Sequence, residues 1–149
     1  MRGSLRAVAV VGLAVVASLF AGCSQSPLAD DSYKTEIPAA LEAADLGITG
    51  AYADVSLDGF TETLTVGGTV SLPEGETTQA SPEFVRSVIG IVLDGRDPSM
   101  KYLDMAFRDA EDARVDVATA LTSLGAAPGY DGTSITMDEA RTIAEGAAR

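Results

Sequence analysis

Ala51-Tyr52-Ala53-Asp54-Val55-Ser56-Leu57-Asp58-Gly59-Phe60-Thr61-Glu62-Thr63-Leu64-Thr65-Val66-Gly67-Gly68-Thr69-Val70-Ser71-Leu72 is the stretch that decides the fold. Ala51, Ala53, Val55 and Leu57 alternate with polar or amphipathic residues, the period of a strand with one buried face. Asp58-Gly59 is a hairpin turn signal. The return run puts Phe60, Leu64, Val66, Gly68, Val70 and Leu72 on one face, with Thr61, Thr63, Thr65 and Thr69 on the solvated side. Gly67-Gly68 offers a second tight turn. The alternation passes through it without a phase slip, so one long strand with a bulge or kink is predicted.

Outward from this hairpin the period changes to that of helices. Upstream, Ile37 to Asp45 predicts a short helix with Pro38 in its first turn, broken off by Gly47 and Gly50. Downstream, Pro73 to Gln79 is a polar loop. Ser81-Pro82-Glu83 is an N-cap, a first-turn proline and a first-turn acid. Phe84, Val85, Val88, Ile89 and Val92 then form a helical apolar stripe, which Asp94 to Pro98 ends. Leu103, Met105 and Phe107 alternate as a third strand. Val117, Ala120, Leu121 and Leu124 mark a helix that starts between Asp109 and Asp116 and stops at Gly125. A loop from Ala126 to Ser134 follows. Thr136-Met137-Asp138-Glu139 is a capping box opening the last helix. The expected fold is α+β, in the order αββαβαα. A small three-stranded antiparallel or mixed sheet carries its helices packed on one face, in a single domain over residues 37–149. No repeat of fixed period is present.

The first residues have a different character. Arg2 and Arg6 precede sixteen uncharged residues, Ala7 to Gly22, rich in Val, Ala and Leu. As a helix they span about 24 Å, short of the roughly 30 Å hydrocarbon core of a bilayer. This is the pattern of a secretory signal peptide. It ends Leu19-Phe20-Ala21-Gly22-Cys23, with the only cysteine of the chain last. These five residues resemble the lipobox of bacterial lipoproteins, with Phe20 where that family most often has Leu. The resemblance implies lipidation of the Cys23 thiol by a diacylglycerol, signal-peptide cleavage between Gly22 and Cys23, and removal of residues 1–22. The product would sit on the extracytoplasmic face of the cell membrane, anchored by lipid on Cys23. Two acyl chains hold a protein durably where one binds marginally, each buried methylene contributing about 0.8 kcal/mol. An ordinary signal peptide cut nearby, leaving a free thiol, and an uncleaved anchor helix are the other readings of the same residues. Residues 23–36 read as the lipidated N-terminus and a flexible tether, polar and carrying Pro27.

The order of elements from about Ile37 to Phe107 loosely resembles the αββαβ unit of the BON domain of bacterial envelope proteins. The chain lacks the glycine-valine ending usual there before the last strand.

Composition narrows the chemistry. The 149 residues hold no histidine, no tryptophan and 22 acids against 10 bases, a net charge of −12. Without Arg2 and Arg6 eight bases remain, and the exported chain carries −14. Such a chain has no imidazole for a Ser-His-Asp site or a zinc site. It forms no internal disulfide, and it lacks the clustered bases that grip nucleic acid. Asp54, Ser56, Asp58, Gly59 and Glu62 follow the spacing of an EF-hand loop, but Thr65 stands where the bidentate Glu belongs, so a solvated hairpin is the preferred reading. Asp109, Glu111, Asp112 and Asp116 read as a solvated helix start rather than a cation patch. Lys34 and Lys101, in polar or edge-strand contexts, read as solvated. Tyr52 and Tyr102 fall out of phase with the apolar faces and are expected over a sheet face. No catalytic residue, cofactor or metal ligand is assigned.

The expected function is therefore a membrane-anchored lipoprotein that presents a small non-catalytic binding module to an envelope protein or a wall polymer. A small carboxylate- or metal-dependent envelope hydrolase and a divalent-cation-binding surface module are the alternatives. A closed cleft with convergent acids would favour the hydrolase, and an open sheet face would favour binding.

Overall fold

The computed structural model describes residues 31–71, 78–96 and 98–146. The leader, Cys23, the tether as far as Asp30, and most of the loop between Pro73 and Gln79 lie outside the described residues. The elements are α1 (Tyr33–Ala43), β1 (Ile48–Asp58), β2 (Thr61–Val70), α2 (Pro82–Leu93), β3 (Tyr102–Arg108), α3 (Ala118–Ser123), β4 (Ser134–Thr136) and α4 (Met137–Gly146). The fold is α+β, with one mixed sheet in the spatial order β1-β2-β3-β4. β1 and β2 are antiparallel, β2 and β3 parallel, β3 and β4 antiparallel.

The hairpin forms as its residues dictate. Asp58 pairs with Thr61, leaving Gly59 and Phe60 as a two-residue turn. Gly59 has φ 62°, the left-handed value that the first central position of a type II′ turn requires. β2 runs unbroken through Gly67 and Gly68. The irregularity lies opposite, on β1, where the register shifts between Thr49 and Tyr52. Leu64, Val66 and Val70 face inward from β2, Leu103, Met105 and Phe107 from β3, and Ile135 from β4. Against them pack Ile37 and Leu41 of α1, Val85, Val88, Ile89 and Val92 of α2, Ala120 and Leu121 of α3, and Met137, Ala140 and Ile143 of α4. All four helices therefore cover one face. Phe84 meets Phe107 edge-on, ring centroids 5.2 Å apart at 78°.

The helix ends match their signals. The Ser81 hydroxyl accepts from Phe84 N at 3.1 Å. Gly125, with φ 89°, closes α3 in a Schellman motif, its N–H donating to Thr122 O and that of Ala126 to Leu121 O. Thr136 and Glu139 form the capping box: Thr136 N donates to Glu139 Oε2 at 2.9 Å, and Glu139 N to Thr136 Oγ1 at 3.2 Å.

Four expectations are corrected. The sheet has four strands, not three, because Ser134–Thr136 pairs with Tyr102–Asp104; three residues between a loop and a cap carry too little alternation to read as a strand. α1 begins at Tyr33 rather than Ile37, since the Tyr33 ring packs on the core and draws a further turn into the helix. Pro38 consequently sits inside the helix, where it forgoes a bond to the Lys34 carbonyl. Phe60 is not on the buried face of β2; it occupies the turn, fully exposed. The acidic run does not start a helix. Asp109 Oδ1 accepts from Glu111 N at 2.9 Å and Ala113 N at 2.8 Å, folding a tight loop, and only Asp116 reaches α3, taking Ala118 N at 2.8 Å.

Candidate functional site

With the helices on one side, the other face of the sheet is open among the described residues. Strand register arranges it in rows across the strands. Tyr52, Gly67 and Ala106 form one, Asp54, Thr65, Asp104 and Ser134 the next, and Ser56, Thr63, Tyr102 and Thr136 a third. Apart from Gly67 none of these is buried. The face is built of hydroxyls, two carboxylates and two aromatic rings, because every second residue of strongly alternating strands must point this way.

Tyr52 and Gly67 are matched. A Cβ at Gly67 would lie 2.6 Å from Tyr52 Cζ and Oη and would collide with the Ala106 carbonyl oxygen. The tyrosine ring thus fills the space that the glycine leaves, and its hydroxyl donates to Ala106 O at 3.4 Å. Tyr102 lies on the same face, with the Lys101 ammonium 5.4 Å from its ring centroid. Both tyrosines cover a sheet face, as their phase predicts. Lys101 precedes an interior strand rather than an edge strand, and it is exposed.

Asp104 is the unusual group. Its Oδ2 accepts from Thr65 Oγ1 at 3.4 Å, whereas its Oδ1 is buried and has no hydrogen-bond partner among the described residues. A buried carboxylate oxygen without a donor is costly and uncommon. Sequence reasoning missed this residue. Its signal was an acid between two core residues, Leu103 and Met105, and that signal becomes legible only once β3 is known to lie inside the sheet.

The sequence-derived metal candidates do not come together. Asp54, Ser56 and Asp58 lie along one side of β1, while Glu62 and Thr65 lie on β2, so the EF-hand spacing is spread along a hairpin. Among the described residues no three Asp, Glu, Cys or His side chains are placed to hold a metal ion. Hollows indent the surface of the described residues. One of about 330 Å³ lies at the start of α4, lined by Pro98, Met100, Lys101, Asp138 and Arg141. Two of its polar side chains are paired: Arg141 donates to Asp138 Oδ1 at 2.8 Å and to Pro98 O at 3.2 Å. One of about 430 Å³ lies between the α1–β1 loop and α2, lined by Leu46, Ser87, Gly90, Ile91 and Asp94. Another, of about 170 Å³, holds Arg114, Asp131 and Thr133.

The Asp131 carboxyl is held below its usual range. Partial burial works against its charged form, but donors from Thr133 N, Ser134 Oγ and Ser134 N and the charge of Arg114 outweigh it. It ties down the loop before β4. Glu139 is held low as well, by Ala127 N first and then by the hydroxyl and N–H of Thr136. Both carboxylates are hydrogen-bonded into backbone. No family model, curated protein or solved structure matches the chain. No helix of the described residues is long and apolar enough to cross a membrane.

Proposed function

We propose that the protein is a lipid-anchored envelope protein whose folded domain is a binding module, held to the outside of the cytoplasmic membrane through Cys23. The leader carries the reading: Arg2 and Arg6, the uncharged run and Leu19-Phe20-Ala21-Gly22-Cys23 follow one another in the order and spacing of a lipoprotein signal. The open sheet face supports the binding part. Its rows of threonine and serine hydroxyls, with Asp104, Tyr52 and Tyr102, suit a partner rich in hydroxyl and amide groups, such as a wall polymer or an extended segment of an envelope protein.

The experiment is membrane fractionation of cells expressing the full chain and Cys23→Ala. The full chain should sediment with membranes and take up labelled fatty acid, and the variant should do neither. A variant that stays in the membrane pellet would sink the anchor. For the module, the Thr65→Lys variant should lose binding to isolated walls or envelope extract while keeping its fold. Equal binding by both proteins would remove the open face from the reading.

A further inference from the structure

We propose that the tip of the β1–β2 hairpin, with Phe60 at its apex and Leu57 beside it, is a second membrane contact that enters the lipid interface next to the anchor. This rests on the lipid-anchor reading of Cys23. Folding gives no reason for an aromatic residue at this tip: Phe60 is 106% exposed and Leu57 67% exposed, and neither packs on the core. A type II′ turn requires only its glycine. An apolar pair held out at a two-residue turn suits an apolar surface.

The course of the chain indicates which surface. Ala51 N donates to Glu42 Oε1 near the end of α1, while Lys34 Nζ, at its start, lies 4.0 Å from Asp54 Oδ1. α1 therefore runs back along β1 with its first residue toward the hairpin tip, and the chain leading to Cys23 leaves the fold beside Asp54, in the half of β1 nearer the turn. Between Cys23 and Asp31 eight peptide links reach at most about 28 Å. β1 alone, with eleven residues, is about 36 Å long. The turn lies five residues beyond Asp54, about 17 Å at the rise of a strand and within the reach of that link, so the tip meets the lipid beside the anchor.

Charge at this end fits an interface. The two lysines of the chain are both there: Lys34 beside Asp54, and Lys101, whose N–H donates to Glu62 O at 3.0 Å. The Lys101 ammonium has no carboxylate partner among the described residues and stands over the Tyr102 ring, an arrangement of cation and aromatic suited to the headgroup layer. Asp58 and Glu62 flank the tip, so zwitterionic lipid is the surface it fits rather than a strongly anionic one. Phe60 and Leu57 alone would bind lipid weakly. Anchored within the reach of a short link, they meet the bilayer at high effective concentration, and weak insertion is enough to orient the domain.

The test uses the absence of tryptophan from the chain. Phe60→Trp places the only indole at the tip, in a position with no packing to disturb. Tyr130→Trp places it in the exposed loop before β4, at the edge of the sheet away from β1. Each full-length protein, processed in cells and purified, is reconstituted into phosphatidylcholine vesicles with and without brominated acyl chains. The tip indole should emit to the blue of the free protein and lose emission in brominated vesicles; the Tyr130→Trp indole should do neither. Flotation of the same vesicles reports the anchor separately. Protein that floats with an unquenched tip indole overturns the tip contact and leaves the anchor standing. Protein that neither floats nor is quenched overturns both. Equal quenching at both positions, or a blue shift that needs no lipid and follows self-association, also overturns the tip contact.

Discussion

The Tyr52 ring lies across Gly67 so closely that a Cβ added to the glycine would stand 2.6 Å from the phenol. The glycine thus holds its place through space rather than backbone conformation, and the obstruction has two parts, the ring and the Ala106 carbonyl. Gly67→Ala should destabilise the domain by about 1–3 kcal/mol, the range for overpacking a fitted site. Tyr52→Ala in the same chain should recover only part of the loss, because the carbonyl of a central strand cannot swing away. Urea unfolding of the two single variants and the double variant checks this. Full recovery in the double variant would make the ring the whole obstruction.

Acid should find the domain through Glu139. Ala127 N and the N–H and hydroxyl of Thr136 hold its carboxyl below its ordinary 4.5. A carboxyl whose folded pKa lies below the unfolded value adds stability above the unfolded value, and that stability is lost as the pH falls through the folded one. Asp131 titrates in the same sense. Stability should therefore be flat near neutrality and fall below pH 4.5. Glu139→Gln should cost about 1 kcal/mol at pH 7, the scale of a lost cap, and should shrink the acid-induced loss. Parallel acid curves for the two proteins would show that the capping box does not carry the dependence.

The parts of this fold that were legible in sequence are those stated by residues close together in the chain. Asp58-Gly59, Ser81-Pro82-Glu83, Gly125 and Thr136 with Glu139 each specify a turn or a cap within four residues, and each acts as its local chemistry dictates. The alternation of β2 survived Gly67-Gly68 because the pleat has a strict period of two. The missed features depend on neighbours distant in sequence. β4 is three residues long and exists because β3 lies beside it. The turn of α1 before Pro38 exists because Tyr33 finds the core. The open face, and the place of Asp104 at its centre, follow from the order of the strands, which no local signal encodes.

Asp104 should be a liability to stability. Among the described residues its Oδ1 is buried without a donor, and its Oδ2 has only the 3.4 Å contact with Thr65. Relief of one unsatisfied buried group is worth about 1–3 kcal/mol. Thr is smaller, favours strands and continues the hydroxyl row. Asp104→Thr should accordingly raise the urea midpoint, by about 1 kcal/mol of stability. If the face binds its partner through this carboxylate, the same variant should lose binding while gaining stability. A variant less stable than the natural chain would show that the carboxylate is satisfied in solution.

The shortest strand offers the sharpest test of the sheet itself. Ile135 is 2% exposed and pairs with Leu103. The chain on either side of it is tied to β3, Met105 N donating to Thr133 O at 3.1 Å and Met137 N to Lys101 O at 2.9 Å. If β4 is a true member of the sheet, Ile135 is as much a core residue as Leu64 in the long strand. Ile135→Ala should then cost about 2–5 kcal/mol, like Leu64→Ala. Amide exchange at Met105 and Met137 should speed up in step with global unfolding. A surface segment resting on the sheet would respond differently, with a loss below about 1 kcal/mol and fast exchange at those two amides in the unaltered protein. That result would return the sheet to three strands.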